Sequence, residues 1–268
     1  MRVTTSNKRS CFLLLGCLAL VWSLALPPSA PAQENADAAP LRVGLSTRYP
    51  PVAFEKDGGL AGLEVDFARG IGQELGKPVQ FESMEFDDLI PALEAGKIDV
   101  IMSGMSITAK RGQSIAFAEP YLRVGQMALV RSDDFSRFAA PGSIDVDGAR
   151  IGFVEGTTGA RYVAGHTTKA TRVAVDSAEQ GVQALRDQKI DVFIHDAPTV
   201  WRVSLNPNER QLLALYQPLT EEYLAWAVRK DDPALKGALD GVVKKWKTDG
   251  RIDATVNRWI PVRVEVKQ

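Results

Sequence analysis

The stretch S-G-M-S-I-T-A-K-R, residues Ser103 to Arg111, decides the fold because it directly follows the apolar run I-D-V-I-M at residues 98–102. That run is short, rich in β-branched residues and bounded by Gly96 and Gly104, which predicts a buried strand of a parallel sheet. Small ligands of open α/β sheets bind outside the carboxyl ends of the strands. The sequence therefore predicts that the polar residues after the run lie where a ligand binds.

The chemistry of this stretch suits a ligand that carries a carboxylate. Gly104 permits close approach of the backbone, Ser103 and Ser106 carry hydroxyls, and the fork of the Arg111 guanidinium matches two carboxylate oxygens. The alternative is that Ser106 or Thr108 caps a helix and that Arg111 is solvated on its first turn.

A second copy of the pattern favours the ligand-binding interpretation. Residues 92–104 (A-L-E-A-G-K-I-D-V-I-M-S-G) align without a gap with residues 184–196 (A-L-R-D-Q-K-I-D-V-F-I-H-D). Each copy predicts a helix, a turn and a strand, and the alignment sets Asp196 at the position of Gly104. Two facing α/β lobes would then offer Arg111 to the α-carboxylate of a zwitterion and Asp196 to its α-ammonium group.

The length of 268 residues, 45% of them apolar, allows one large or two modest domains. The N-terminal segment has the features of a signal peptide: Arg2, Lys8 and Arg9 are basic, residues 11–26 are apolar, and A-P-A at residues 30–32 is a cleavage site. We therefore predict a signal peptide over residues 1–32 and a periplasmic protein.

A competing interpretation takes L-L-G-C, ending at Cys17, as a lipidation signal that leaves a lipid-anchored protein. It would leave an apolar segment of only residues 11–16 before the cleavage point, shorter than such segments usually are. A retained membrane anchor is a third possibility, but the apolar run is too short to span a bilayer. We prefer the soluble form.

The numbers and positions of the cysteines and histidines, together with the net charge, exclude several classes of function. Cys11 and Cys17 both lie in the signal segment, and the two histidines, His166 and His195, are too few for a metal cluster. We expect no disulfide, no metal and no cofactor. Without residues 1–32 the chain has 29 basic and 33 acidic residues, a formal charge of about −4, so we expect no nucleic-acid partner.

Two aromatic residues are candidates for the wall of a ligand pocket. Tyr49 lies in the loop Y-P-P, just beyond a first predicted strand at Leu41 to Leu45, and its alternative role is packing against a proline. Phe86 precedes a predicted helix, and it belongs either to the core or to the ligand pocket.

Four motifs in this order resemble the bacterial extracellular solute-binding proteins of family 3. They are Y-P-P at residues 49–51, G-L-E-V-D at 62–66, M-S-I-T-A-K-R at 105–111 and F-A-E-P-Y at 117–121. The resemblance runs from about Leu41 to Trp259. Members of this family are the polar amino acid receptors of ATP-driven importers.

The resemblance implies an α/β fold, the two-lobe clamshell of the type II periplasmic binding proteins, with two hinge segments. We place the hinges near Gly125 to Val130 and near Thr220 to Ala225. Lobe 1 would then comprise residues 41–127 plus 224–268, and lobe 2 residues 128–223.

The second lobe carries E-G-T-T-G at residues 155–159 before a predicted helix, and helix N-termini favour anions. By resemblance, the backbone N–H of Thr158 binds the α-carboxylate that Arg111 holds, although a plain helix cap has the same geometry. The pair His195 and Asp196 is similar to the glutamine-binding members of the family, in which the aspartate binds the α-ammonium group. His195 is predicted either to contact the ligand or to be a structural residue of the wall whose hydrogen bonds are made within the protein.

Two positions depart from the family pattern. Glu155 stands where glutamine receptors carry a lysine, and Ser46 stands where several relatives carry an aspartate. Glu155 either favours a ligand side chain with hydrogen-bond donors or is a solvated residue at the rim. Glutamine specificity is therefore in doubt.

The sequence thus predicts a monomeric receptor that binds a polar L-amino acid and delivers it to the membrane permease of an ABC transporter, with no catalytic residue. The alternative is an enzyme similar to cyclohexadienyl dehydratases, acting on prephenate or arogenate with Glu155 as general acid. Against it, Arg111 and Asp196 together suit retention of an amino acid, and no second acid/base pair is evident.

Overall fold

The computed structural model describes residues 39–140, 142–215 and 217–260. The predicted signal peptide at residues 1–32, together with the alternative lipidation site at Cys17, lies outside the described residues. In the ranges that are described, no helix has both the length and the apolar character needed to cross a membrane.

The chain alternates short strands with helices. The elements up to residue 131 are β1 (Leu41–Leu45), β2 (Arg48–Tyr49), β3 (Ala53–Lys56), β4 (Gly59–Ala61), α1 (Leu63–Leu75), β5 (Val79–Ser83), α2 (Leu89–Glu94), β6 (Val100–Ile101), β7 (Ile115–Phe117), β8 (Leu122–Val124) and β9 (Gln126–Arg131). The remaining elements are α3 (Phe135–Phe138), β10 (Arg150–Val154), α4 (Thr158–His166), β11 (Thr171–Val175), α5 (Ala178–Arg186), β12 (Val192–Asp196), α6 (Ala197–Ser204), β13 (Leu212–Ala214), β14 (Glu222–Leu224), β15 (Ala227–Arg229), α7 (Pro233–Asp249) and α8 (Arg251–Trp259). Short 3-10 helices lie at Phe86–Asp88, Arg111–Gln113 and Ser132–Asp134.

Two five-stranded sheets organise these elements. The first has the order β5-β1-β6-β15-β7, with β5, β1 and β6 parallel and β15 antiparallel to its neighbours. The second has the order β11-β10-β12-β9-β13, with β11, β10 and β12 parallel and β9 antiparallel to its neighbours. We call the first sheet with α1, α2, α7 and α8 the first lobe, and the second sheet with α3 to α6 the second lobe. The predicted α/β architecture of two sheet-based lobes is confirmed.

The duplicated sequence corresponds to one structural unit that recurs in each lobe. Before β6, the Asp99 carboxylate accepts hydrogen bonds from the backbone N–H of Arg42 at 2.9 Å and from its Nη2 at 2.6 Å. Before β12, the Asp191 carboxylate accepts the same two bonds from Arg150, at 2.9 and 2.8 Å. The recurring aspartate therefore fastens the central strand of each sheet to a parallel neighbouring strand.

The core of the first lobe lies between the sheet and helices α1, α7 and α8. Trp226 is fully buried and Trp246 is nearly so, and the ring of Tyr121 stacks on Trp226 with centroids 5.3 Å apart. Trp246 thus belongs to the core of the first lobe. This packing gives the strand ends a rigid support from which the binding loops emerge.

Two antiparallel strands, β8 and β14, pair with each other and connect the sheets. The chain enters the second sheet immediately after β8, because β9 pairs with β12 along nearly its whole length. Residues 127–130 are buried within β9 of the second sheet, and the hinge near Gly125 to Val130 stays a prediction. Gly125 is required at the crossover, because a Cβ there would collide with the carbonyl oxygen of Thr220.

Candidate ligand-binding site

A cleft lies between the carboxyl ends of the parallel strands of the two lobes. Its walls include eight of the ten residues that the sequence predicts as ligand-binding: Tyr49, Phe86, Gly104, Ser106, Arg111, Thr158, His195 and Asp196. The structure brings these side chains together from both lobes, while their role in binding stays a prediction. The other two predicted residues, Ser103 and Glu155, are not part of the cleft lining.

The loop after β6 is held from behind by side chains of the first lobe. Gly104 has a positive φ of 63°, and its N–H donates a hydrogen bond of 2.7 Å to Glu64. A Cβ at this position would also press against Tyr49. Ser103 is buried beneath the loop, where its hydroxyl accepts a bond of 3.0 Å from the N–H of Ser46. Ser103 thus supports the loop from behind.

Glu64 lies in the first turn of α1, behind the binding loop. It is fully buried, and it accepts hydrogen bonds from Gly104 N, from the Tyr121 hydroxyl at 2.6 Å and from the Trp226 indole N–H at 2.9 Å. Burial raises the pKa of Glu64, and these three donors oppose the rise. Glu64 therefore ties the binding loop to the core of the first lobe.

Arg111 reaches across the cleft. Its Nη1 donates to the carbonyl oxygen of Ser106 at 2.9 Å, and its Nη2 donates to the carbonyl oxygen of Gly156 in the second lobe at 3.2 Å. The guanidinium carbon lies 5.2 Å from the centre of the Phe86 ring, a cation–π arrangement. Burial lowers the pKa of Arg111, while the charge of Asp196 raises it. Phe86 therefore positions the guanidinium rather than filling the core alone.

Asp196 ends β12 and faces the first lobe. Its Oδ2 accepts a hydrogen bond of 2.5 Å from the Tyr49 hydroxyl, and its Oδ1 accepts one from Gln126 Nε2. Burial, followed by the charge of Asp196, raises the pKa of Tyr49 well above its ordinary value. The carboxylate is thus anchored by donors from both sides of the cleft.

His195 lies in the wall beside these residues. It is only 7% exposed, and its ring makes an edge contact with Tyr49 at 5.2 Å between centroids. Burial lowers the pKa of His195, which favours the neutral form of the ring, while the charge of Asp196 acts in the opposite direction. The Nδ1 of His195 is buried and has no hydrogen-bond partner among the described residues.

Helix α4 begins at the cleft, as the sequence predicts for the E-G-T-T-G stretch. Thr157 caps the helix by accepting a hydrogen bond of 3.1 Å from the N–H of Ala160. Thr158 is the first helical residue and lines the cleft. Glu155 is exposed and lies outside the cleft lining, and its role stays a prediction.

Several residues of the site were not predicted from the sequence. Gln126 and Glu222 lie at the connection between the lobes, and Glu222 accepts hydrogen bonds from Ser106 at 2.5 Å and from Thr158 at 2.7 Å. Charged residues also complete the cleft lining: Arg48, Glu85 and Asp176. No local pattern marks these positions, because their roles arise from contacts between distant segments. Within the described part of the chain, no group of three or more His, Cys, Asp or Glu side chains is placed to hold a metal ion.

The fold and the interlobe cleft define a two-lobe ligand-binding protein of the type II periplasmic class. The family of bacterial extracellular solute-binding proteins, family 3, matches residues 41–262, and the chain belongs to this family. The family predicted from the sequence is thus confirmed.

Individual relatives of known structure or function are similar over most of their length. The L-arginine-binding protein of Pseudomonas aeruginosa is 30% identical over 247 residues, which cover 89% of this chain and 92% of that protein. A binding component of an ABC transporter from Wolinella succinogenes, solved in complex with lysine, has a TM-score of 0.79 and 30% identity, covering 82% of this chain and 95% of that one. The ancestral amino acid-binding protein AncCDT-1, described as a precursor of cyclohexadienyl dehydratase, has a TM-score of 0.77 and 29% identity over the same shares.

Proposed function

We propose that this chain, the substrate-binding component of an ABC importer for polar amino acids, binds a cationic L-amino acid between its lobes. Arg111 would bind the α-carboxylate together with the N-terminus of α4, and Asp196 would bind the α-ammonium group. The ligand then contacts both lobes at once, so that binding favours the closed arrangement.

The charged residues that line the cleft are the reason for proposing a cationic ligand. The lining contains two arginines, Arg48 and Arg111, and three carboxylates, Glu85, Asp176 and Asp196. Arg48 and Glu85 form an ion pair of 3.1 Å. Arg111 and Asp196 match the two charges of a zwitterion, and Asp176 remains as one negative charge in the wall. A ligand with one additional positive charge neutralises it.

The relatives support this proposal. The Pseudomonas aeruginosa relative is an L-arginine-binding protein, and the Wolinella succinogenes structure contains lysine. Both ligands carry one positive charge beyond the zwitterion.

Calorimetry with L-arginine, L-lysine, L-glutamine and L-citrulline tests the proposal, because citrulline has the shape of arginine without its side-chain charge. We expect arginine or lysine to bind at least about tenfold more tightly than citrulline, a difference of about 1.4 kcal/mol. Asp176→Asn should reduce this preference. Tighter binding of citrulline or glutamine would refute the cationic assignment.

We further propose that the protein acts in the periplasm as a monomer, hands its ligand to a membrane permease and catalyses no reaction. The acid considered for a dehydratase, Glu155, is exposed and outside the cleft lining, so it is poorly placed to protonate a bound substrate. The protein is incubated with prephenate and the reaction is monitored by ultraviolet absorbance. We expect the prephenate to remain intact. Its conversion to phenylpyruvate would establish the enzyme instead.

A further inference from the structure

Glu222 lies at the start of β14, between the two loops that line the cleft. Its Oε2 accepts hydrogen bonds from the Ser106 hydroxyl of the first lobe at 2.5 Å and from the Thr158 hydroxyl of the second lobe at 2.7 Å. Its Oε1 accepts one from the Thr220 hydroxyl at 2.8 Å. A single carboxylate next to the interlobe connection therefore engages hydroxyl groups from both lobes.

The direction of these hydrogen bonds limits what the two hydroxyls offer to a ligand. A carboxylate only accepts hydrogen bonds, whereas a hydroxyl has one proton and two lone pairs. Because Ser106 and Thr158 donate their protons to Glu222, they can only accept from a molecule in the cleft, which both residues line. Thr158 also accepts a bond of 3.0 Å from Gln126 Nε2, which leaves it one free lone pair.

We propose that Glu222 is a positioning residue that makes the Ser106 and Thr158 hydroxyls acceptors for the α-ammonium group of the ligand. An ammonium group has three protons, and the Asp196 carboxylate with these two hydroxyls supplies three acceptors. The inference deepens the proposed function and rests on its amino acid ligand.

The side chain of Gln126 supports this assignment. Its Nε2 donates to Asp196 Oδ1 and lies 3.4 Å from Glu222 Oε1, so both carboxylates face one donor group. This end of the cleft therefore collects negative charge and acceptors, which suits a cation. The ligand's carboxylate is directed instead to the Arg111 guanidinium, which carries only donors.

Glu222→Gln tests the inference, because the amide keeps the size of the side chain but adds donor protons that compete with the two hydroxyls. The matched control is Glu221→Gln. Glu221 is the neighbouring residue, is exposed, and contacts Tyr223 at 2.8 Å and Arg123 at 3.5 Å on the surface. Dissociation constants are measured by calorimetry for L-arginine and for 5-guanidinopentanoate, which is arginine without its α-amino group.

We expect Glu222→Gln to weaken arginine binding tenfold or more and to change the affinity for 5-guanidinopentanoate less than twofold. Glu221→Gln should leave both affinities unchanged. An equal loss for both ligands, or no loss for either, would overturn the inference. If the wild-type protein binds no amino acid, the proposed function itself fails; if it binds arginine and the loss is not selective, only the role of Glu222 fails.

A mutant cycle gives a second measurement that does not depend on the affinity of the analogue. In a Ser106→Ala/Thr158→Ala background, Glu222→Gln should cause no further loss of arginine affinity, because the hydroxyls through which it acts are gone. An undiminished tenfold loss would mean that Glu222 acts without them and would overturn the inference. If Glu222→Gln does not fold, Ser106→Ala alone should show the selective loss for arginine, and its failure to do so would be equally decisive.

Discussion

The Tyr49 hydroxyl of the first lobe donates a hydrogen bond of 2.5 Å to Asp196 of the second lobe. Burial and the nearby carboxylate hold the pKa of Tyr49 well above its ordinary value, so the phenol keeps its proton and remains a donor. The contact joins the lobes directly across the cleft. It also orients the acid that we propose for the α-ammonium group.

Tyr49→Phe should therefore weaken ligand binding by about tenfold to about a hundredfold. The reason is that a hydrogen bond to a charged group contributes about 1.5–3 kcal/mol. Calorimetry with the preferred amino acid measures the loss. Tyr223→Phe is the matched control, since its hydroxyl bonds to Glu221 on the surface at 2.8 Å, and it should bind normally. Equal affinities of the two variants would show that the Tyr49 contact does not support binding.

We expect substitution of Arg111 to cause the largest loss of ligand affinity. Arg111→Ala should abolish amino acid binding, because it leaves the ligand's carboxylate without its ionic partner in a partly desolvated cleft, at a cost of several kcal/mol. Arg111→Lys should restore part of the affinity, since it keeps the charge but loses the two-pronged geometry.

Binding of the Arg111 variants is measured by calorimetry and their folding by thermal unfolding. The control is Arg123→Ala, which removes an exposed arginine whose partner is Glu221 at 3.5 Å. It should bind like the wild type. Full affinity in Arg111→Ala would refute the placement of the carboxylate.

The two-lobe architecture could be predicted from the sequence because the duplicated pattern predicts the same helix, turn and strand in each lobe. Asp99 and Asp191 recur at the same position of the repeat, and each fastens a central strand to an arginine of a neighbouring strand that lies outside the repeat. The predicted bounds of the individual strands and helices were less accurate. The strand predicted at residues 98–102 is only Val100–Ile101, and a short 3-10 helix at Arg111–Gln113 replaces the helix considered after Thr108.

The supporting side chains could not be predicted from local pattern. Glu64 satisfies the rule for an acid in the first turn of a helix equally well whether it is solvated or buried. Its burial depends on Tyr121 and Trp226, which are far away in sequence. Glu222 and Gln126 are likewise defined by contacts that form only when the two lobes face each other.

Glu64→Gln should lower both stability and ligand affinity. The amide presents donor protons where three donors converge, so at least one buried hydrogen bond is lost, at a cost of about 1–3 kcal/mol. Because one of those donors is Gly104 N, the binding loop also loses its anchor.

Thermal unfolding and calorimetry on Glu64→Gln separate these two effects when Tyr121→Phe serves as the control. Tyr121→Phe removes one hydrogen bond to Glu64 but leaves the bond to Gly104, so it should lower the Tm while the Kd stays within about twofold of wild type. An unchanged Kd in Glu64→Gln would show that the loop does not depend on this anchor.

Asp191 links stability to pH. Burial by itself would raise its pKa, but hydrogen bonds from Arg150 and Arg131 outweigh this and hold the pKa at about 2. The side chain is only 8% exposed, so solvent screens these bonds weakly. The ordinary pKa of an aspartate in an unfolded chain is about 3.9. The unfolded state therefore binds more protons between these two values.

It follows that the contribution of Asp191, about 2 kcal/mol, is fully present above about pH 4 and is lost as the pH falls through about 2. Asp191→Asn should be less stable than the wild type at pH 7, and its free energy of unfolding should fall less steeply between pH 4 and pH 2. Urea unfolding at a series of pH values measures both quantities. Asp147→Asn, at an exposed position of the same lobe, should follow the wild-type curve. If Asp191→Asn shows the same acid dependence as the wild type, the arginine contacts of Asp191 do not contribute to acid stability in the way that the structure indicates.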